Sequence, residues 1–181
     1  MEEPEKSRSR KSISKKFTGD VLFLDVDGVL SCLAMSSEDL EPDKVRRLKR
    51  IVEACDPVIV VSSSWQFDPK QLKGLVAMID RIGGRFGGTT CGDVDFEASN
   101  ADFLEIRCLE IQGWLDRNGV PNRFVILDDD GDMDPLQTHL VQTDSFKGLT
   151  DELADRVITQ LGFSGAGHLR NRRRKSDAQK N

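Results

Sequence analysis

Three stretches of this chain are apolar without a break and stop at a polar cluster. Residues 21–24 run into Asp25-Val26-Asp27, residues 57–61 into Ser62-Ser63-Ser64, and residues 124–127 into Asp128-Asp129-Asp130. A strand with one wet face alternates apolar and polar residues; a strand that does not alternate is buried on both faces. Such strands need helices on either side, and the sequence between them supplies these. Pro42 opens "PDKVRRLKRIVEAC", with Val45, Leu48, Ile51 and Val52 at helical spacing and a proline where a first turn tolerates it. "DPKQLKGLVAMIDRIG" follows, with Asp68 as its N-cap. "FLEIRCLEIQGWLDRNG", residues 103–119, lines up Leu104, Cys108, Ile111 and Leu115 and stops at Gly119. "LTDELADRVITQLG", residues 149–162, runs from an N-cap at Thr150 to Gly162. Buried strands are expected over 20–25, 57–62 and 123–130, and shorter ones near Arg85–Thr89 and over 137–142. The spacing predicts an α/β, doubly wound arrangement around a mainly parallel five-stranded sheet.

In a sheet of that kind ligands bind beyond the carboxyl ends of the strands. Parallel strands would bring all three polar clusters to one edge. Two acids at the end of a buried strand need a positive partner, because burying unpaired charge costs several kcal/mol. Several carboxylates around one point suit a hard cation such as Mg²⁺, which takes oxygen ligands and tolerates phosphate oxygens among them. One carboxylate then becomes a candidate nucleophile on phosphorus, forming an aspartyl-phosphate, and another two residues on a candidate general acid and base. Hydroxyl and N–H groups of the serine cluster would hold the phosphate, and a cationic side chain is still needed against transition-state charge.

Blander readings stand beside these. Asp25 and Asp27 also suit a plain strand-to-turn junction, and Ser63 and Ser64 suit helix caps. Asp130, Asp132 and Asp134 read as solvated acids or N-caps, with Asp132 keeping some claim as a ligand. Trp65 reads as packing, although its place beside the cluster leaves a base-stacking role open. Trp114 falls on a core face, and His139 and His168 have no partners that suggest a metal or a triad. A calcium loop fails, since the position five before Gly28 is Phe23 and five before Gly131 is Ile126, neither an acid.

Charge is unevenly spread. Residues 1–17 hold six Lys/Arg and three Glu, and residues 168–181 six Lys/Arg and one Asp, leaving 14 basic and 27 acidic residues between them. Two basic tails, 1–17 and 164–181, without apolar periodicity, are therefore expected to be disordered around an acidic domain at 18–163. Basic tails can bind nucleic acid through its phosphates or simply solubilise the chain. No run of about 18 apolar residues exists to span a membrane. The basic N-terminus lacks the apolar stretch of a secretory signal. Cys32, Cys55, Cys91 and Cys108 form no CxxC pair, which points to reduced thiols in a cytoplasmic protein.

"FLDVDGVL", "VIVVSSSW", "RCLEIQGWL", "FVILDDDGDM" and "HLVQTDSFKGLT", in that order over about residues 20–162, resemble the haloacid dehalogenase (HAD) superfamily of phosphatases. The nearer likeness is to the HAD domain of Swiss-army-knife RNA repair proteins. The resemblance implies a Rossmann-like three-layer sandwich with little or no cap, since the segments after Asp27 and between Ser62 and the acidic strand are short. It implies Asp25 as nucleophile and Mg²⁺ ligand, and Asp27 as general acid/base with its backbone carbonyl on the metal. Ser62 would bind the phosphoryl group, with Ser63 beside it, and Asp128 and Asp129 would complete the metal site. Arg107 is the candidate for the cation that neutralises the phosphoryl group, with Lys147 as the alternative. Where the related pattern often reads SSSWR, Gln66 follows Trp65 here, which removes one phosphate-binding cation. The implied activity is Mg²⁺-dependent phosphate-monoester hydrolysis. An open site would admit a nucleic-acid end or a nucleotide; a small phosphorylated metabolite, or a non-catalytic phosphate-binding or docking module, are the alternatives.

Overall fold

The structure is a computed structural model, and it describes residues 19–32, 39–91 and 106–162. Both basic tails, His168, Leu104 with the expected start of its helix, and the two segments at which a cap would be inserted (33–38 and 92–105) lie outside the described residues. Five strands, β1 (Asp20–Leu24), β2 (Val58–Val61), β3 (Arg85–Thr89), β4 (Arg123–Asp128) and β5 (Leu140–Gln142), alternate with four helices, α1 (Pro42–Cys55), α2 (Pro69–Arg81), α3 (Ile106–Asn118) and α4 (Asp151–Leu161). The sheet order is β3-β2-β1-β4-β5 and every pairing is parallel. The expected α/β class is therefore met, with a sheet that is wholly rather than mainly parallel.

β1 shows why. Val21, Leu22, Phe23 and Leu24 are all fully buried, and they divide by parity. Leu22 and Leu24 join one core with α1, α2 and α4. Val21 and Phe23 join a second core against α3, with Trp114 and Phe124 edge-on to the Phe23 ring at 5.2 and 5.8 Å. Burying each such side chain contributes roughly 1.5–3 kcal/mol, so a strand apolar on both faces is secured from both. Three helices cover one face and α3 covers the other. Trp114 is thus core, as its spacing predicts, while His139 stacks its ring on Phe124 at 3.8 Å.

The helix ends follow the local chemistry. Asp68 accepts from the N–H groups of Lys70 and Gln71 at the start of α2, and Thr150 accepts from Leu153 at the start of α4. The strand at 123–130 is shorter than its acidic run because the Asp128 carboxylate accepts from the Asp130 N–H at 3.0 Å and turns the chain out of the sheet. Asp130 does the same for Asp132 at 3.0 Å. The 137–142 stretch begins as a 3-10 turn, Gln137–His139, before becoming β5. α4 is tied to α1 by Asp151, which pairs with Arg47 and Arg50, each at 3.0 Å. All four cysteines are free, three of them buried, and no described helix is long and apolar enough to cross a membrane.

Candidate active site

Because β1, β2 and β4 are adjacent and parallel, Asp25, Ser62 and Asp128 arrive side by side at one sheet edge. The backbone stitches them together: Asp25 N–H donates to Leu127 O at 3.0 Å and Ser62 N–H to Leu24 O at 2.9 Å. After Asp25 the chain turns tightly, with Val26 O accepting from Val29, Leu30 and Ser31. Gly28 permits this turn at φ +71°, and a Cβ there would lie 2.3 Å from the Asp129 carboxylate. Thr143 holds the Gly28 carbonyl from β5's side through a 2.7 Å hydroxyl bond.

Asp25, Asp128 and Asp129 each present a carboxylate oxygen, all within 4.8 Å of one another. Asp25 and Asp128 are buried, at 3% and 1% exposure. Arg107, on the first turn of α3, is the cation that faces them. Its Nη1 lies 2.9 Å from Asp25 Oδ1 and 3.5 Å from Asp128 Oδ2, and also donates to Ser62 O. That second approach is an ion pair without a hydrogen bond, and Asp128 Oδ2 has no hydrogen-bond partner. Burial foremost pushes the Asp25 carboxyl up to about 6, with Asp129 adding and Arg107, the Val26 N–H and Ser63 opposing. Burial also pushes Asp128 up to about 8, with Asp25 and Asp129 adding against Arg107. For Arg107, burial works downward, and the charges of Asp25 and Asp128 outweigh it and hold the guanidinium above its ordinary value. Three carboxylates, all ionised, would leave two negative charges against one guanidinium, and one buried oxygen is orphaned. An oxygen-only donor set with that deficit fits a hard divalent cation.

The remaining expected residues fall into distinct places. The Asp27 carboxylate is exposed and outside the triad, so a hold on a cation would come from its backbone carbonyl, as the resemblance implies. Ser62 is buried, its Oγ 3.4 Å from Thr90 Oγ1. Ser63 is buried too and caps the 3-10 turn Ser64–Phe67 by accepting from the Trp65 N–H. Lys147 is exposed and forms no ion pair among the described residues, whereas Arg107 is already at the acids. Gln66 donates to Glu110 Oε2 at 3.2 Å and accepts from the Cys91 N–H at 2.9 Å. A side chain at position 66 is therefore directed at Glu110, where an arginine would meet a carboxylate.

A family model described as the HAD domain in Swiss Army Knife RNA repair proteins matches residues 21–154. The chain belongs to this HAD family. No curated protein matches it, and no solved structure does. In this HAD domain two features were not foreseen from sequence. Glu110, 3% exposed, sits one helical turn beyond Arg107 and accepts from both Gln66 and Thr90; the spacing of three from Arg107 was the available signal, since it puts both on one helix face. Trp65 is core, but its indole N–H reaches Asp27, a contact between residues far apart in sequence.

Proposed function

We propose that this HAD domain is a Mg²⁺-dependent phosphohydrolase working through an aspartyl-phosphate on Asp25. The observation that carries it is the triad of buried Asp25 and Asp128 with half-buried Asp129, and Arg107 beside it. Asp25, Asp128 and Asp129 would hold the cation, which when bound supplies positive charge against both the acids and a phosphate dianion. The Asp25 carboxylate attacks phosphorus, and the bond to the leaving oxygen breaks as the Asp25–phosphorus bond forms. Asp27 gives its proton to that leaving oxygen. In the second step a water oxygen bonds to phosphorus, Asp27 takes the water's proton, and the Asp25–phosphorus bond breaks to release phosphate. Arg107 offsets charge on the phosphoryl oxygens, and the Ser62 hydroxyl orients them.

For the substrate we favour a phosphate at a nucleic-acid end or on a nucleotide. Two things support this choice: the family is described from RNA repair proteins, and both ends of the chain are basic. The test is phosphate release in Mg²⁺ from p-nitrophenyl phosphate, a nucleoside monophosphate, and 3′- and 5′-phosphorylated oligonucleotides, wild type beside Asp25→Asn. Release that needs both Mg²⁺ and Asp25 is expected, greatest on the oligonucleotides; no Asp25-dependent release from any of the four would refute the proposal.

A further inference from the structure

Asp27 is exposed at the rim of the site, yet both of its carboxylate oxygens meet donors from the turn after β2. Trp65 Nε1 donates to Oδ1 at 3.1 Å, and Ser64 Oγ donates to Oδ2 at 3.1 Å. An exposed aspartate on a loop ordinarily samples several rotamers. A tryptophan at 6% exposure does not, and this ring is packed in the core shared by β1, α1 and α2. The rigid side chain therefore carries the rim residue. Its backbone is fixed as well, since Trp65 lies in the 3-10 turn capped by Ser63.

The two donors differ in kind. An indole N–H can only donate, whereas a serine hydroxyl donates to a carboxylate and accepts from a carboxylic acid. Oδ1 is thus held as an acceptor whichever form Asp27 takes, and Oδ2 is the oxygen whose partner can reverse. We propose that Trp65 is a positioning residue for Asp27, with Ser64 as its reversible second partner, and that the pair assigns the transferred proton to Oδ2. The proposal rests on the reading of Asp27 as general acid and base. The Oδ2 proton passes to the leaving oxygen as the old phosphorus–oxygen bond breaks and the bond to Asp25 forms. A proton returns to Oδ2 from the water whose oxygen then displaces Asp25 from phosphorus. Ser64's hydroxyl donates to Oδ2 while Asp27 is a carboxylate, accepts from the Oδ2 proton while Asp27 is an acid, and gives up that bond as the proton swings to the leaving oxygen; Trp65 does not move.

Trp65→Phe keeps an aromatic ring and deletes the N–H. Losing a hydrogen bond to a charged group is expected to lower kcat about tenfold on an alkyl phosphate, whose leaving oxygen needs a proton. The expected loss is only about twofold on p-nitrophenyl phosphate, whose leaving group departs readily without one. KM should hold in both. Equal losses on the two substrates, or none, would overturn the positioning role while wild-type, Asp25-dependent release left the phosphohydrolase reading intact. Absence of that wild-type release would overturn both. A second measurement needs no turnover and no Trp65 variant. The chain has two tryptophans, so its ¹H–¹⁵N spectrum holds two indole signals, and Asp27→Asn should move that of Trp65 and leave that of Trp114 in place. An unmoved Trp65 signal would overturn the proposal.

Discussion

Asp128→Asn is expected to make the protein more stable whenever divalent cations are removed. Asp128 is 1% exposed, its Oδ2 has no hydrogen-bond partner, and its nearest guanidinium nitrogen, at 3.5 Å, is closer to Asp25. Burial first and Asp25 second raise its pKa from 3.8 to about 8. Between those values the folded protein keeps a proton that the unfolded chain has released, so the unfolded state binds fewer protons and stability falls as pH rises. One proton amounts to about 1.4 kcal/mol per pH unit, so Asp128 alone should weaken the fold by roughly 3 kcal/mol between pH 5 and pH 7. Asp25, pushed up to about 6, works in the same direction in the lower part of that window. An asparagine cannot ionise. In EDTA its advantage should grow from pH 5 to pH 7 by up to about 10 °C in Tm, at roughly 2–4 °C per kcal/mol. Mg²⁺ should reverse the order, raising the wild-type Tm through binding to the folded state alone and leaving the variant nearly unmoved. Thermal melts followed by circular dichroism, at both pH values with EDTA or MgCl₂, give all the comparisons. A variant less stable than wild type at pH 7 in EDTA, or an equal Mg²⁺ shift in both proteins, would refute the reasoning.

Arg107→Met should leave the buried Asp25 without its ion pair and destabilise the fold by roughly 1–3 kcal/mol at pH 8 but less at pH 5, where Asp25 can protonate instead; urea denaturation at the two pH values checks it. Gly28→Ala forces a left-handed φ on a residue with a Cβ and drives that Cβ into Asp129, so a loss of about 1–3 kcal/mol should come with weaker Mg²⁺ binding by calorimetry. Phe23→Ala removes the ring that Trp114 and Phe124 meet edge-on, and should cost roughly 3–5 kcal/mol in urea denaturation.

The three buried strands could be read from sequence because an unbroken apolar run ending in polar residues has few other uses, and their polar ends met as the parallel arrangement requires. Asp25, Asp128 and Asp129 were legible for the same reason: the end of β1 places the first and the end of β4 the other two. Arg107 was found only through family resemblance, since nothing in its local spacing marks a guanidinium that reaches the ends of three strands. The contact from Trp65 to Asp27 was hidden differently. A tryptophan beside a buried strand is sufficiently explained by packing, and its N–H partner lies on another strand's loop. Strand ends were overrun at 123–130 because the carboxylates that end β4 bond to their own following N–H groups, a competition that apolar patterning does not register.

β1 sits between β2 and β4, with Val21 beside Val58 and Asp20 beside Arg123. These two pairings join residues far apart in sequence, so the folding rate should be governed by non-local closure rather than by helix formation. The acids also arrive in sequence. Until β4 docks, Asp25 has no Asp128 beside it, so the charge repulsion described above is met only once β1 and β4 have paired. A divalent cation would accordingly slow unfolding more than it speeds folding.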